Sequence, residues 1–206
     1  MSRPALPEPV KIISSIFSGN RDLLNEAITA LSEEFGQIDY ISVLKPFEYT
    51  DYYRRELGPS LFRRFISFET LVPPDTLPDI KLTTNKMEDT FTKDGNRLVN
   101  IDPGYISRAH LILATGKAYT HRPHIRVGIY ADLTLIFTNH TFRRLEWTYP
   151  DYSDENTIAM CNNIRERYAA QLAEKRMQKT SNPDSSGQTH HKQDTTLSCL
   201  TEEKNL

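Results

Sequence analysis

Cysteine occurs only twice in the 206 residues, at positions 161 and 199. Two are too few for a disulfide framework, and neither lies in the spaced Cys and His pattern that zinc requires. A reducing cytoplasm is therefore the expected setting. Glycine is scarce as well, with eight in the chain. Neither Gly-x-x-x-x-Gly-Lys-Ser/Thr nor Gly-x-Gly-x-x-Gly occurs, which excludes the usual phosphate cradles. Without a Gly-x-Ser-x-Gly elbow, a serine hydrolase has no support. No apolar run approaches the length that crosses a bilayer, so no membrane partner is expected. The N-terminus, Met-Ser-Arg-Pro-Ala-Leu-Pro-Glu-Pro, is broken by proline where a signal peptide needs a continuous apolar segment. Positive charge is not in excess either. Lys and Arg number 25 against 27 Asp and Glu, and the pI is near 6.3. That balance disfavours duplex DNA as a partner.

What is present is enough for one ordinary core, with 38% hydrophobic residues. Residues 1–9 read as a flexible N-terminus, 10–177 as a single α+β domain and 178–206 as a disordered tail. The tail is rich in Ser, Thr, Gln, Asn, His and Lys, with little to bury.

Residues 10–17 are a short apolar run of strand length, and Ser-Gly-Asn after it signals a turn or helix N-cap. Leu23, Leu24, Ala27, Ile28, Leu31 and Phe35 recur at helical spacing, with Gly36 placed as a C-cap. A second strand is expected over 38–43 and a polar aromatic loop over 47–59. Phe62, Phe65, Ile66 and Phe68 suit a third strand, although a short helix fits the same spacing. Leu77, Ile80, Thr84, Met87 and Phe91 mark a second helix after Pro-Pro-Asp-Thr, ended by Asp94-Gly95. Strands are expected over 97–102 and 110–115.

Ile125, Val127, Ile129, Ala131, Leu133, Leu135 and Phe137 form an unbroken period-two face, which predicts one long strand. A hairpin through Asn139-His140 follows. Asp154 and Glu155 then open a last helix, with Ile158, Cys161, Ile164, Tyr168 and Leu172 on one face and fraying near Lys175. The order strand, helix, strand, strand, helix, strand over 10–102 predicts a ferredoxin-like split βαβ core. Additional antiparallel strands and a C-terminal helix extend it.

Two polar clusters stand out. Asn100 and Asp102 share a strand face opposite Val99 and Ile101, just before Pro103-Gly104. A carboxylate beside an amide can bind a hydroxyl or act as a base, while Asp-Pro-Gly is also ordinary turn chemistry. Lys117, His121 and Arg122 close the next strand. They could neutralise a phosphate or carboxylate, with a planar fork from Arg and a titratable ring from His; a solvated loop explains them too. His121 and His124, with Pro123 between and no third ligand, do not make a metal site.

Lys81, Asn85 and Glu88 read as a solvated helix face. Tyr52, Tyr53, Tyr105, Tyr130, Trp147, Tyr149 and Tyr152 could stack on a base, or simply pack.

Seven motifs carry a family resemblance. They are Phe-x-Tyr-Thr-Asp-Tyr-Tyr at 47–53, Lys-Leu-x-Thr-Asn at 81–85, Val-Asn-Ile-Asp-Pro-Gly-Tyr at 99–105, Leu-Ala-Thr-x-Lys at 113–117, His-Arg at 121–122, Gly-Ile-Tyr-Ala at 128–131 and Trp-Thr-Tyr-Pro-Asp-Tyr at 147–152. In this order and spacing the chain resembles the bacterial family catalogued as domain of unknown function 4416, over roughly residues 10–173. It departs from the family pattern at Pro123-His124. The resemblance implies locations rather than a mechanism.

The expected function is binding of a small anionic ligand, a phosphorylated metabolite or nucleotide, between the two clusters. Lys117 and Arg122 would hold the anion, with Asn100, Tyr105, Tyr130, Lys81 and Asn85 as further ligand-binding candidates. If the protein is an enzyme, Asp102 and His121 are its acid/base candidates. The alternative is a non-catalytic RNA or protein interaction module on an exposed sheet. No cofactor and no oligomeric state are assigned.

Overall fold

All nine residues of strand β1 (Val10–Ser18) are buried, as befits a strand with neighbours on both edges and helices on both faces. The structure, a computed structural model, describes residues 3–49, 57–58 and 60–181, with side chains as far as Gln178. Tyr52, Tyr53, most of the loop expected over 47–59, and the expected tail from 182 onward lie outside the described residues.

Helix α1 (Arg21–Phe35) follows β1, capped by Asn20 Oδ1, which accepts from the N–H groups of Asp22 and Leu23. It ends at Gly36, whose φ of +95° is open to glycine at no steric penalty. Strands β2 (Ile38–Ile41), β3 (Lys45–Phe47) and β4 (Leu61–Val72) come next. A 3₁₀ turn at Pro74–Thr76 leads into helix α2 (Leu77–Thr90). Beyond it are β5 (Thr92–Lys93), β6 (Asn96–Arg97), β7 (Val99–Ile106), β8 (His110–Thr115), β9 (His124–Arg126), β10 (Ile129–Thr138) and β11 (Thr141–Arg144). The short helix α3 (Pro150–Ser153) and the long α4 (Glu155–Ser181) close the described chain.

The fold is mixed α/β. One large antiparallel sheet runs in the order β11-β10-β8-β7-β1-β4-β2, with β3 beside β4 and β9 beside β10. Four helices pack on it among the described residues. Strand alternation sorts the core into two layers. Leu24, Ala27, Ile28 and Leu31 of α1 and Ile80 of α2 meet Val10, Ile12, Ile16, Ile66, Val99 and Ile101 on one face. Cys161, Ile164, Tyr168 and Leu172 of α4 meet Ile13, Phe65, Ile106, Leu111, Leu113 and Leu135 on the other. Each such Leu or Ile contributes about 1.5–3 kcal/mol by leaving water.

Five expectations are corrected. Asp102-Pro103-Gly104 is not a turn; β7 runs straight through it to Ile106, and the reversal comes at Ser107, where the N–H donates to the His110 carbonyl. The face expected over 125–137 breaks twice. Val127 and Gly128, with φ of +45° and +76°, form a turn between β9 and β10, and a bulge between Leu133 and Leu135 flips the later residues to the α4 side. Asp94-Gly95 does more than end α2: both residues have positive φ and join β5 to β6 as a tight hairpin. Asp154 caps α4 rather than lying inside it, accepting from the N–H groups of Asn156 and Thr157. That helix continues past Lys175 to Ser181, there being no Gly or Pro in it to stop it.

Candidate functional site

Strand β7 is the axis of the site. Ser15 pairs with Asp102 and Ile13 with Gly104 across β1, while β8 joins β7 only from Gly104 onward. A Cβ on Gly104 would lie 2.4 Å from the Ile112 carbonyl oxygen and 2.7 Å from Leu113 Cδ2. Only glycine lets β8 approach this closely. Before Gly104 the two strands part.

Side chains of α2 fill that gap. Lys81 Nζ donates to the Ile101 carbonyl (3.0 Å), and Glu88 Oε1 accepts from the Ile101 N–H (2.5 Å). Ile101 therefore turns its backbone groups away from β1. By the same parity Pro103 presents its donor-free nitrogen at the gap, where an N–H would have no strand partner. Lys81 and Glu88 are 7% and 4% exposed, so the solvated helix face expected here is instead an internal clamp. Burial pushes the Glu88 carboxyl above the ordinary range, outweighing the Lys81 charge, the Ile101 hydrogen bond and Arg97.

On the α4 side of β7, Asn100 Nδ2 donates to Asp102 Oδ2 at 2.8 Å. Because β7 and β8 turn at 107–109, the chain beyond Thr115 returns toward this same end of β7. Residues 117–123 then cross over β10, since β8 covers one edge of β10 and β9 must take the other.

Asp132 of β10 receives the crossing segment. Its Oδ2 accepts from Arg122 Nε at 2.8 Å, and its Oδ1 faces His121 Nε2 at 3.7 Å. Arg122 also donates to the Tyr149 hydroxyl (3.1 Å) and the Lys117 carbonyl (3.4 Å). Burial opposes the Arg122 charge, but Tyr149 and Asp132 carry its pKa above the ordinary guanidinium value. His121 stacks on Trp147 with centroids 5.0 Å apart and planes at 14°, and meets Tyr119 edge-on. Its Nε2 is buried and unbonded. Chemically this is an imidazole packed against two rings, with a carboxylate nearby but beyond hydrogen-bond distance.

Residues 147–152 tie this cluster to the next. Trp147 lies on His121 and Tyr149 on Arg122, while Asp151 reaches Arg63 of β4. Arg63 Nη1 donates to Asp151 Oδ2 (2.6 Å) and Nε to Ser15 Oγ (2.7 Å). Its guanidinium sits 4.1 Å from the Phe65 ring centre and 4.9 Å from that of Tyr152. The Tyr152 hydroxyl is buried without a partner. Burial raises its pKa, and Asp151 and Asp102 add to the rise.

The expected site residues divide between the two faces. Asn100, Asp102, His121, Arg122 and Tyr130 share the α4 side, Tyr130 lying across β8 from Thr115. Lys117 is exposed at the end of β8. Tyr105 packs against the α2 side, and Lys81 and Asn85 belong to α2 itself. From the register row Gly104, Leu113, Asp132, Asp102 and Asp132 are roughly 12 Å apart between Cα atoms at ordinary strand spacing and rise.

Sequence reasoning missed Asp132, Arg63, Asp151 and Ser15. Arg63 was detectable, a cation at the parity of Leu61 and Phe65. Asp132 was detectable less directly, as the one carboxylate in a ten-residue strand. Asp151 had no such signal, because its partner is 88 residues away.

No curated protein and no solved structure matches the chain. The motifs at 99–105, 113–117, 121–122 and 147–152 are the ones this site is built from, and a family profile spans all of them. That profile, Domain of unknown function (DUF4416), matches residues 8–168, and the chain belongs to this family.

Proposed function

We propose that the protein binds a small anionic ligand, a phosphorylated metabolite or nucleotide, on the α4 side of the sheet around Asp132. The observation that carries this reading is the shared carboxylate: Asp132 engages Arg122 through one oxygen and faces His121 with the other. Lys117 and Arg122 supply positive charge, Tyr130 a ring, and Asn100 with Asp102 the far wall. In a catalytic version His121, held by Trp147 and Tyr119 beside Asp132, exchanges a proton with the ligand, and Asp102, with its Cα roughly 12 Å from that of Asp132, serves a separate step.

The order β7-β1-β4-β2, all antiparallel with α1 and α2 on one face, supports a ferredoxin-like core as the scaffold. A buried free thiol at Cys161, with burial pushing its pKa up to about 12, suits a reducing cytoplasm. No helix among the described residues is long and apolar enough to cross a membrane.

Trp147 is the single tryptophan, and it lies on His121, so its emission reports on the site directly. Titration with inorganic phosphate and with AMP should give a saturable change absent with chloride at matched ionic strength. Lys117→Ala should weaken it while leaving the unfolding midpoint unchanged. An identical response to all three salts would reduce the effect to charge screening. A second reading, an RNA or protein interaction module, draws on the exposed rings of Tyr119 and Tyr149 flanking Arg122. A Trp147 response to single-stranded RNA but not to AMP would favour it.

A further inference from the structure

A separate cavity of about 240 Å³ opens between the β2–β3 connection, β4 and the first turns of α4. Its walls are largely apolar, with Phe47, Phe65 and Met160 inside and Val43 at the rim. An apolar cavity near 150 Å³ takes one benzene ring, and each water occupies about 30 Å³. The space therefore holds one ring or branched side chain plus about three further small groups, and a nucleotide is too large for it.

The polar lining is mixed in sign. Arg63, only 6% exposed, stands in the wall beside Phe47 and Phe65, and Lys45 lies nearer the surface. Asp154 faces them from the start of α4, its Oδ1 already holding the Asn156 and Thr157 N–H groups. Among the described residues the lining carries two cations, Arg63 and Lys45, and one carboxylate, Asp154, while Asp151 stands behind it and pairs with Arg63. Both signs act at the rim: burial raises the Tyr49 hydroxyl pKa, Asp154 and Asp151 raise it further, and Arg63 lowers it. A lining that presents both signs suits a ligand that carries both better than one of either net sign.

We propose that this cavity, lined by Arg63, Lys45 and Asp154 around an apolar pocket, binds a free α-amino acid with a large apolar side chain. The carboxylate faces Arg63 and Lys45, the ammonium faces Asp154, and the side chain lies among Phe47, Phe65 and Met160. The site is independent of the anionic-ligand reading at Asp132.

Calorimetric titration of the full chain with three probes of one shape tests this. Phenylalanine should bind saturably, while hydrocinnamate, lacking the ammonium, and phenethylamine, lacking the carboxylate, should each bind about tenfold more weakly or less, one charge-assisted contact being lost. Asp154→Asn keeps a capping oxygen for α4 and removes the charge. It should lower phenylalanine affinity to the level of hydrocinnamate and leave hydrocinnamate unchanged. Val43→Trp, at a position 70% exposed, should block all binding without disturbing the core. The proposal is overturned if phenylalanine shows no saturable heat, if the three probes bind alike, or if Asp154→Asn weakens phenylalanine and hydrocinnamate equally.

Discussion

Arg63 and Asp151 stand 2.6 Å apart, both nearly inaccessible to water, and join strand β4 to the short helix α3. Removing one member leaves the other charged and buried. Asp151→Asn should lose about 3–5 kcal/mol of unfolding free energy, whereas Arg63→Met with Asp151→Leu should recover most of it. Urea unfolding of both singles and the double gives the coupling; simple additivity would mean the pair is not the link between β4 and α3.

Gly104 should be irreplaceable where Gly116 is not. Gly104→Ala drives a methyl into the Ile112 carbonyl and should destabilise by about 3 kcal/mol, the upper part of the overpacking range. Nothing lies within 4 Å of a Cβ at Gly116. Gly116→Ala should stay within about 0.5 kcal/mol of wild type. Equal effects would show that β8 can step back from β7.

The Lys81 and Glu88 clamp predicts a pH signature. Lys81→Met strands the Ile101 carbonyl and should be destabilising by about 1–3 kcal/mol. Glu88 titrates above its ordinary value in the folded protein because burial disfavours its charge. Between the ordinary value and the raised one, the folded state holds a proton that the unfolded state has released. Stability from this group is complete below the ordinary carboxylate pKa and falls as pH rises through the folded value. Glu88→Gln, which still offers an oxygen to the Ile101 N–H, should flatten that fall in denaturation curves taken across mildly acidic pH.

Arg122 read from sequence as a loop cation, and its side chain is 8% exposed. Arg122→Ala leaves Asp132 buried without its partner and should be destabilising by about 3 kcal/mol. Arg122→Lys should recover under half, since one ammonium cannot reach Asp132, Tyr149 and the Lys117 carbonyl together. A loss below about 0.5 kcal/mol would return Arg122 to the class of solvated surface charges.

The helices and β1 were legible because their signals are local: spacing at 3.6 residues, an Asn cap, a continuous apolar run. The strand through Asp102-Pro103-Gly104 was not, because Pro and Gly were read for their turn chemistry. Here they answer to two distant neighbours, the β8 backbone and the α2 side chains. The long face over 125–137 failed for a related reason. Val127 adopts a φ of +45°, which a β-branched residue avoids, so no propensity could place a turn there. Of the candidate site, the loop cations and Asp102 were visible as charged residues, Arg63 and Asp132 left a parity signal that went unused, and Asp151 became visible only once its distant partner was known.

The clamp has a consequence for how the protein meets its own copies. A sheet that forks exposes two lengths of unpaired backbone, and such lengths are where strands of another chain add on. At Ile101 both backbone groups are already taken by Lys81 and Glu88, and at Pro103 there is no donor to offer. An incoming strand would find no ladder to extend across this part of β7, so this edge of the fork resists strand addition from another copy.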